Sequence, residues 1–374
     1  MPWFFHRDIK SQYFHFQFLQ KGIVNIYNFV NINKNNLPNK DTFNYLPLTY
    51  FTFGTYNILA KPLLPSNFIP WVNDWGINQN NYPQINHVMF VLKIPYLILD
   101  ILLAIFLLKI FGSDKIFKFW LFNPITIYLI YILGNFDILP CFLTILSFYF
   151  LKNKKEFWSF FVLGIAFALK AYPIIFLPFF LFYSKLKIKN IFYFLIPTLF
   201  TICPFLYSPA FISSFLGSGL TQKILEYKII NIPIYPLIYA IIFVQYYFSK
   251  NKNNSLYKSF FYLFIFFFAL VKFHPQWLIW FFPFIIEPIN KNRFRLIVFY
   301  IFMILIISYL LLIDDNYLSW GHLITINPNF VNLTTPFEFI KNKFNFSPYF
   351  LQNIIKNFLI FISIFSVFQY EKNK

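Results

Sequence analysis

Residues 157–183 read FWSFFVLGIAFALKAYPIIFLPFFLFY, an apolar run broken by one charge, Lys170, with Pro173 close behind. As one helix it would measure roughly 40 Å, too long for a single crossing of a hydrocarbon core and too short for two. Lysine blocks flank it on both sides, Lys152, Lys154 and Lys155 before it and Lys185, Lys187 and Lys189 after it. Basic loops collect on the cytoplasmic side, so the chain has to enter the membrane and return within this one run. Two half-helices of roughly 20 Å each satisfy that requirement. Proline lacks an N–H donor and disfavours helix in the residue before it, so the break falls beside the charge. Irregular backbone at membrane depth is tolerated only against protein or a watery cavity, and a lysine there marks a functional-site hypothesis. Lys170 is therefore expected at the top of a vestibule open to the outer side.

The rest of the chain is written in the same manner. Of 374 residues 59% are hydrophobic and 12% charged, with 59 Phe and 26 Tyr. This is the composition of a polytopic, helical membrane protein. The formal charge of +18 is spread in short blocks between apolar runs. Besides the two lysine blocks above, these are Lys109, Lys115 and Lys118; Lys250, Lys252 and Lys258; Lys291, Arg293 and Arg295; and Lys372 and Lys374. The remaining connections, 1–87, 134–137, 208–232 and 314–349, hold only ten basic residues. The first set reads as cytoplasmic and the second as extracytoplasmic, which makes the basicity a matter of membrane orientation and argues against nucleic acid. Cys141 and Cys203 lie within apolar runs without metal-ligand spacing and read as packing residues.

Residues 1–87 contain no apolar run of membrane length and lead into a span at about 88–111. They read as a long extracytoplasmic segment. Nothing visible exports it, so the expectation is a start placed late with a first membrane helix missing; the alternative is a tail that crosses with the help of the next span. Further spans are expected at about 117–133, 138–151, 190–207, 233–248, 294–313 and 350–370. Outer loops fall at 208–232 and 314–349, and the tail 371–374 is cytoplasmic. Residues 259–286 repeat the opening pattern, with two short apolar halves broken at Lys272-Phe273-His274-Pro275-Gln276. Ala168-Leu169-Lys170-x-x-Pro173 is echoed by Ala269-Leu270-Val271-Lys272-x-x-Pro275. The expected architecture is an all-α bundle of about eight to eleven membrane helices over 88–370, including two pairs of short broken helices.

A cavity carrying Lys170, Lys272, His274 and Gln276 would suit a membrane-held anion, most simply a lipid phosphate, for which lysine serves as a compact point charge. The plainer alternative is that both lysines snorkel to the interface. Transfer from a lipid phosphate to a hydroxyl needs a carboxylate to take the acceptor proton, and Asp8 is the candidate base. Its alternatives are a solvated loop residue or a helix cap. Asp100 reads as an internal hydrogen-bond or ion partner. Asp137, which ends the tight turn Gly134-Asn135-Phe136-Asp137, reads as a helix cap or a sugar ligand, with Asn135 beside it. Asp314 and Asp315 read as a solvated pair, and no metal site or cofactor is assigned. The aromatic cluster 45–51, led by Tyr45, and Trp71 with Trp75 fit either sugar stacking or an interfacial belt. There is no Walker loop, Gly-rich dinucleotide turn, zinc spacing or Ser-based nucleophile.

Five stretches carry a resemblance. They are Arg7-Asp8-Ile9 through Gly22 and Tyr27 to Tyr45-Leu46-Pro47-Leu48; Lys93-Ile94-Pro95 with Asp100; Asn123-Pro124 through 134–137; Gly164 through Lys170-Ala171-Tyr172-Pro173 to Pro178; and His274-Pro275-Gln276-Trp277 through Trp280 to Pro283. In this order the chain resembles the GT-C superfamily of integral-membrane glycosyltransferases. It is similar above all to the polyprenol-phosphate-mannose-dependent mannosyltransferases, of glycosyltransferase family 87 or like the first GPI mannosyltransferase.

The resemblance implies a GT-C-like helical bundle with its active site on the extracytoplasmic face, a dolichyl- or undecaprenyl-phosphate sugar as donor, inversion at the anomeric carbon, and an essential aspartate in the first outer loop. Asp8 stands at that place, although the helix that should precede it is not in the sequence. The expected activity is transfer of one sugar, mannose foremost, to a glycolipid or glycan acceptor, in the plasma membrane of a prokaryote or in the ER of a eukaryote. Membrane lipids are the other expected partners. A transporter or flippase of lipid-linked sugars, which would use similar broken helices, and a noncatalytic subunit of a glycosylation complex are the competing expectations.

Overall fold

The computed structural model describes residues 2–217, 219–290 and 293–372; Lys291 and Lys374, counted above among the basic blocks, lie outside the described residues. The chain is helical, and among the described residues strand occurs only as a two-residue ribbon pairing Lys228–Ile229 with Ile232–Pro233.

The opening run is two helices. Glu156–Leu169 ends at Lys170, whose backbone is extended at φ −152° and ψ 141°. A 3₁₀ turn over Tyr172–Ile175, with proline in its first positions, leads into the helix Leu177–Tyr183. The two ends of the run come back together. One Glu156 carboxylate oxygen accepts from the Lys185 backbone N–H at 2.9 Å, and the other accepts from the Leu186 N–H at 3.1 Å and from Asn190 Nδ2 at 2.8 Å. The second run behaves alike: Lys252–Leu270, an extended Val271 at φ −99° and ψ 139°, a turn over Pro275–Trp277, then Leu278–Asn290. Tyr183 donates to Asn253 Oδ1 at 2.8 Å, which brings the lysine-rich ends of the two runs together.

By length and composition, three helices among the described residues can cross a membrane: Ile85–Phe111, Lys187–Phe205 and Pro348–Phe368. A fourth crossing comes from Asp114–Phe122 with Pro124–Leu133, which the sequence reading treats as one straight span and which bends by 46°. The bend is local chemistry: Pro124 cannot continue the first helix, and Asn123 caps the second by accepting from the Ile125 N–H at 2.8 Å. Shorter apolar helices, such as Ile138–Lys152, Glu156–Leu169 and Ile234–Phe248, account for other expected spans. The expected eight to eleven are thus reached only by counting helices too short to cross alone. Cys141 is packed as expected, whereas Cys203, at the end of Lys187–Ile202, is exposed.

Residues 2–87 fold into helices that include Arg7–Phe16, Ile26–Asn33 and Pro47–Leu59. Ile9, Tyr13, Phe14 and Phe16 belong to the same apolar core as the bundle helices. Three joints fix this segment. Lys93, buried in Ile85–Phe111, donates to the carbonyls of Phe4 and Tyr131, both at 2.7 Å. Thr49 donates to the Leu169 carbonyl at 2.5 Å, satisfying a group that the helix end leaves open. Gly134 has φ +60°, and a Cβ there would meet Lys93 Cε at 2.7 Å and Ile9 Cδ1 at 2.9 Å, so the tight turn, Lys93 and the first helix close on one residue without a side chain.

One tight helix contact involves the first half-run, where a Cβ on Gly164 would run into the Phe194 carbonyl oxygen of Lys187–Ile202. A backbone oxygen cannot rotate away. Gly164→Ala is expected to cost about 1–3 kcal/mol, read as a lowered unfolding midpoint in detergent.

Candidate active site

Lys170 is not alone at its break. Its ammonium pairs with Asp137, whose side chain is 1% exposed, and the second Asp137 oxygen accepts from Trp280 Nε1 at 3.1 Å. Asp137 occupies the N-cap position of Ile138–Lys152 yet makes no cap hydrogen bond; its carboxylate is spent on Lys170 and Trp280. The reading of Asp137 as a cap gives way to this pairing, because an ammonium largely withdrawn from water is the stronger partner. Rings surround the pair: Lys170 Nζ lies 5.2 Å from the centroid of Phe136, 5.3 Å from Trp280 and 5.6 Å from Tyr45. Tyr172 stacks on Trp280 at 4.3 Å, and Trp277 stacks on its other side at 4.7 Å.

The cavity above Lys170 has a volume of about 480 Å³. Asp8, Tyr45, Lys170, His274 and Gln276 all line it, together with Trp277 and Trp280. Asp8 sits in the first turn of Arg7–Phe16, where an acid suits the helix dipole, but the cap is His6, whose Nδ1 accepts from the Asp8 N–H at 3.2 Å. The Asp8 carboxylate is 42% exposed and therefore reachable. His6 in turn lies 5.7 Å, ring to ring, from His322 of the segment 314–349, and the Phe5 N–H donates to the His322 carbonyl at 2.9 Å. Burial and then the neighbouring His6 bring His322 down to about 3, so the His322 imidazole is uncharged at neutral pH.

On the same helix Lys10 turns inward between Trp71 and Trp75, at 5.0 and 5.1 Å, and donates to the Asp74 carbonyl. Burial lowers it to about 8. Trp71 and Trp75 thus hold a lysine, a role the sequence reading does not contain. That reading also misses Asp41, a second carboxylate on the cavity wall with Ser11, Gln12 and His15. Nothing in the spacing of 1–87 points to Asp41; only the fold brings it beside Asp8.

Lys272 departs from the expected cluster. It pairs with Glu226 at 2.6 Å, is 64% exposed, and lines a neighbouring hollow with Lys356 and Tyr309. The reason is one residue of register. Lys170 is itself the extended residue that ends its helix, whereas Val271 holds that position in the second break and Lys272 is the residue after it. Successive side chains of an extended chain point to opposite sides, so the shift turns Lys272 away. His274 still lines the cavity, with Lys223 Nζ 2.7 Å from its Nε2.

Asp100 is internal, accepting from Trp120 Nε1 and from the Tyr131 hydroxyl, both at 2.6 Å. Asn135 is buried, does not line the cavity, and both of its amide atoms lack a partner among the described residues. Asp315 caps its own turn through the Tyr317 N–H at 2.8 Å. Among the described residues no three His, Cys, Asp or Glu side chains gather as a metal site.

A lysine clamped by an aspartate at a helix break, under a cavity with a half-exposed carboxylate, is the setting for one comparison. Residues 97–245 match glycosyltransferase family 87. The family 87 match takes in Asp100, Asn135, Asp137 and Lys170, and it ends before His274 and begins after Asp8. It covers less than half of the chain and supports a membrane glycosyltransferase as the coarse function. No curated protein and no solved structure matches the chain.

Within this family 87 stretch, Lys170→Met leaves Asp137 buried beside an apolar group, an imbalance of about 3–5 kcal/mol. The single variant is expected to unfold well below the parent in detergent, and Lys170→Met with Asp137→Asn to recover part of the loss. Losses that simply add across Lys170→Met, Asp137→Asn and the double variant would show that the two side chains are not coupled.

Proposed function

We propose that the chain transfers one sugar, mannose foremost, from a polyprenyl phosphate donor to a glycolipid or glycan hydroxyl on the extracytoplasmic side. Support comes from one observation: Asp8, Lys170, His274 and Gln276, distant in sequence, line a single cavity with an aromatic floor. Indole and phenol faces suit the apolar faces of a sugar ring, and a cationic wall suits a phosphate.

In this reading Asp8 accepts the proton of the acceptor hydroxyl as its oxygen attacks the anomeric carbon. The bond from that carbon to the phosphate oxygen breaks, the configuration inverts, and the polyprenyl phosphate leaves with the electron pair. Charge grows on the departing phosphate, so cations and donors aimed at it act chiefly in the transition state. Lys170, His274 and Gln276 fill that role. Lys272, ion-paired to Glu226 in the adjoining hollow, is left out of the phosphate set, and its pair instead holds the helix Gly219–Glu226 against the second break. Lys170 keeps Asp137 as its resting partner, so the phosphate meets a lysine whose position is already fixed.

The reading is tested in membranes containing the full chain and a radiolabelled polyprenyl-phosphate sugar. Asp8→Asn is expected to lower transfer by about 10²–10⁴-fold while donor binding is retained. Asp41→Asn, which removes the other wall carboxylate, is expected to cost far less. Full activity of Asp8→Asn, or movement of intact lipid-linked sugar without transfer, would remove the proposal.

A further inference from the structure

A second cavity is larger than the candidate active site. A hollow of about 1,050 Å³ lies at the other end of the first half-helix, where the two runs enter and leave. The Glu156–Leu169 helix puts on the order of 20 Å between this hollow and Lys170. Lys152, Lys154, Lys185, Lys250 and Lys252 line it against a single carboxylate, Glu156.

That carboxylate is already committed, since its two oxygens accept from the Lys185 and Leu186 N–H groups and from Asn190. Two of the lysines are built into the floor. Lys152 donates to the Tyr257 hydroxyl at 2.8 Å, and Lys252 donates to the Tyr246 and Tyr247 carbonyls at 3.0 and 2.6 Å. Lys154 and Lys250 are exposed at the rim with no carboxylate partner among the described residues. The hydrogen bond from Tyr183 to Asn253 closes the floor between the two runs. On one side the lining becomes aromatic: Phe157 packs edge-on against Tyr193 at 5.0 Å and is itself 40% exposed, with Trp158 beside it 51% exposed. The hollow therefore has a cationic interior and an apolar flank.

We infer that this hollow binds an anionic phosphate group, and that its aromatic flank suits the head group of an anionic membrane lipid. Clustered basic residues near a membrane attract such head groups, each lysine adding a modest and salt-sensitive increment. A pre-formed pocket with its only carboxylate occupied concentrates that attraction at one place. The site is separate from the proposed transfer chemistry and does not depend on it.

The test uses the purified full chain in neutral detergent, with the thermal midpoint read as a function of added lipid. Phosphatidylglycerol is expected to raise the midpoint and phosphatidylcholine to leave it unchanged. Lys154→Gln, Lys185→Gln and Lys250→Gln together are expected to weaken the apparent affinity by about tenfold or more. Lys34→Gln, Lys40→Gln and Lys343→Gln, which remove the same charge elsewhere, are expected to leave it unaltered. Inorganic phosphate separates the sources: protection by millimolar phosphate equal to that by lipid identifies a soluble phosphate ligand, and protection by phosphatidylglycerol alone identifies a lipid, each upholding a phosphate site. Absence of protection by either, equal protection by phosphatidylcholine, or equal loss in the two triple variants overturns the inference.

Discussion

One ammonium and one carboxylate, Lys170 and Asp137, meet in a molecule built largely from aromatic and aliphatic packing. Neither group is tolerable there alone, because removing a charge from water costs more than any single apolar contact returns. Their pairing imposes geometry on three separate pieces of chain. The tight turn 134–137 must present Asp137, the first run must break so that Lys170 reaches it, and the second run must return with Trp280 placed to donate to the remaining oxygen. Tyr172, Trp280 and Trp277 then stack in succession, which carries the same constraint from the first break to the second.

Much of this was legible in the sequence because it follows from lengths and charges. A run too long for one crossing, bounded by lysines on both sides, admits few solutions, and the staple at Glu156 is the enter-and-return geometry that those lengths require. The breaks at Lys170 and in the second run were legible for the same reason, with proline marking each. Partners were not. Lys170 and Asp137 lie 33 residues apart, and no local rule connects a turn aspartate to a helix-end lysine. The contribution of 1–87 was equally hidden: its helices are short and amphipathic, so hydropathy reports only that they are not spans, whereas their buried faces join the bundle core.

The echo between the two breaks shows how a matching spacing can still mislead. Aligned on proline, Lys272 is the counterpart of Lys170; aligned on the helix end, Val271 is. Backbone geometry follows the second alignment, because the last helical turn and not the proline decides where the extended residue falls. A lysine one position late then faces a different hollow and finds Glu226 instead of Asp137. Sequence spacing fixed the break within a residue or two, and side-chain direction in an extended segment is lost with an error of one.

The two walls of the cavity differ in how they are held. One is made by broken membrane helices and is locked by the Lys170–Asp137 pair. The other, with Asp8, belongs to the folded segment 1–87, and its position relative to Lys170 depends on a few joints: Lys93 on the Phe4 and Tyr131 carbonyls, Thr49 on Leu169, and Phe5 on His322. Gly134 belongs to both walls, since it opens the turn that carries Asp137 and leaves the space filled by Lys93 and Ile9, the residue after Asp8. The separation between Asp8 and Lys170 thus depends in part on two side chains packed against a single glycine. Any side chain at Gly134 would have to push Lys93 or Ile9 aside, and the two walls would part before either lost its own fold.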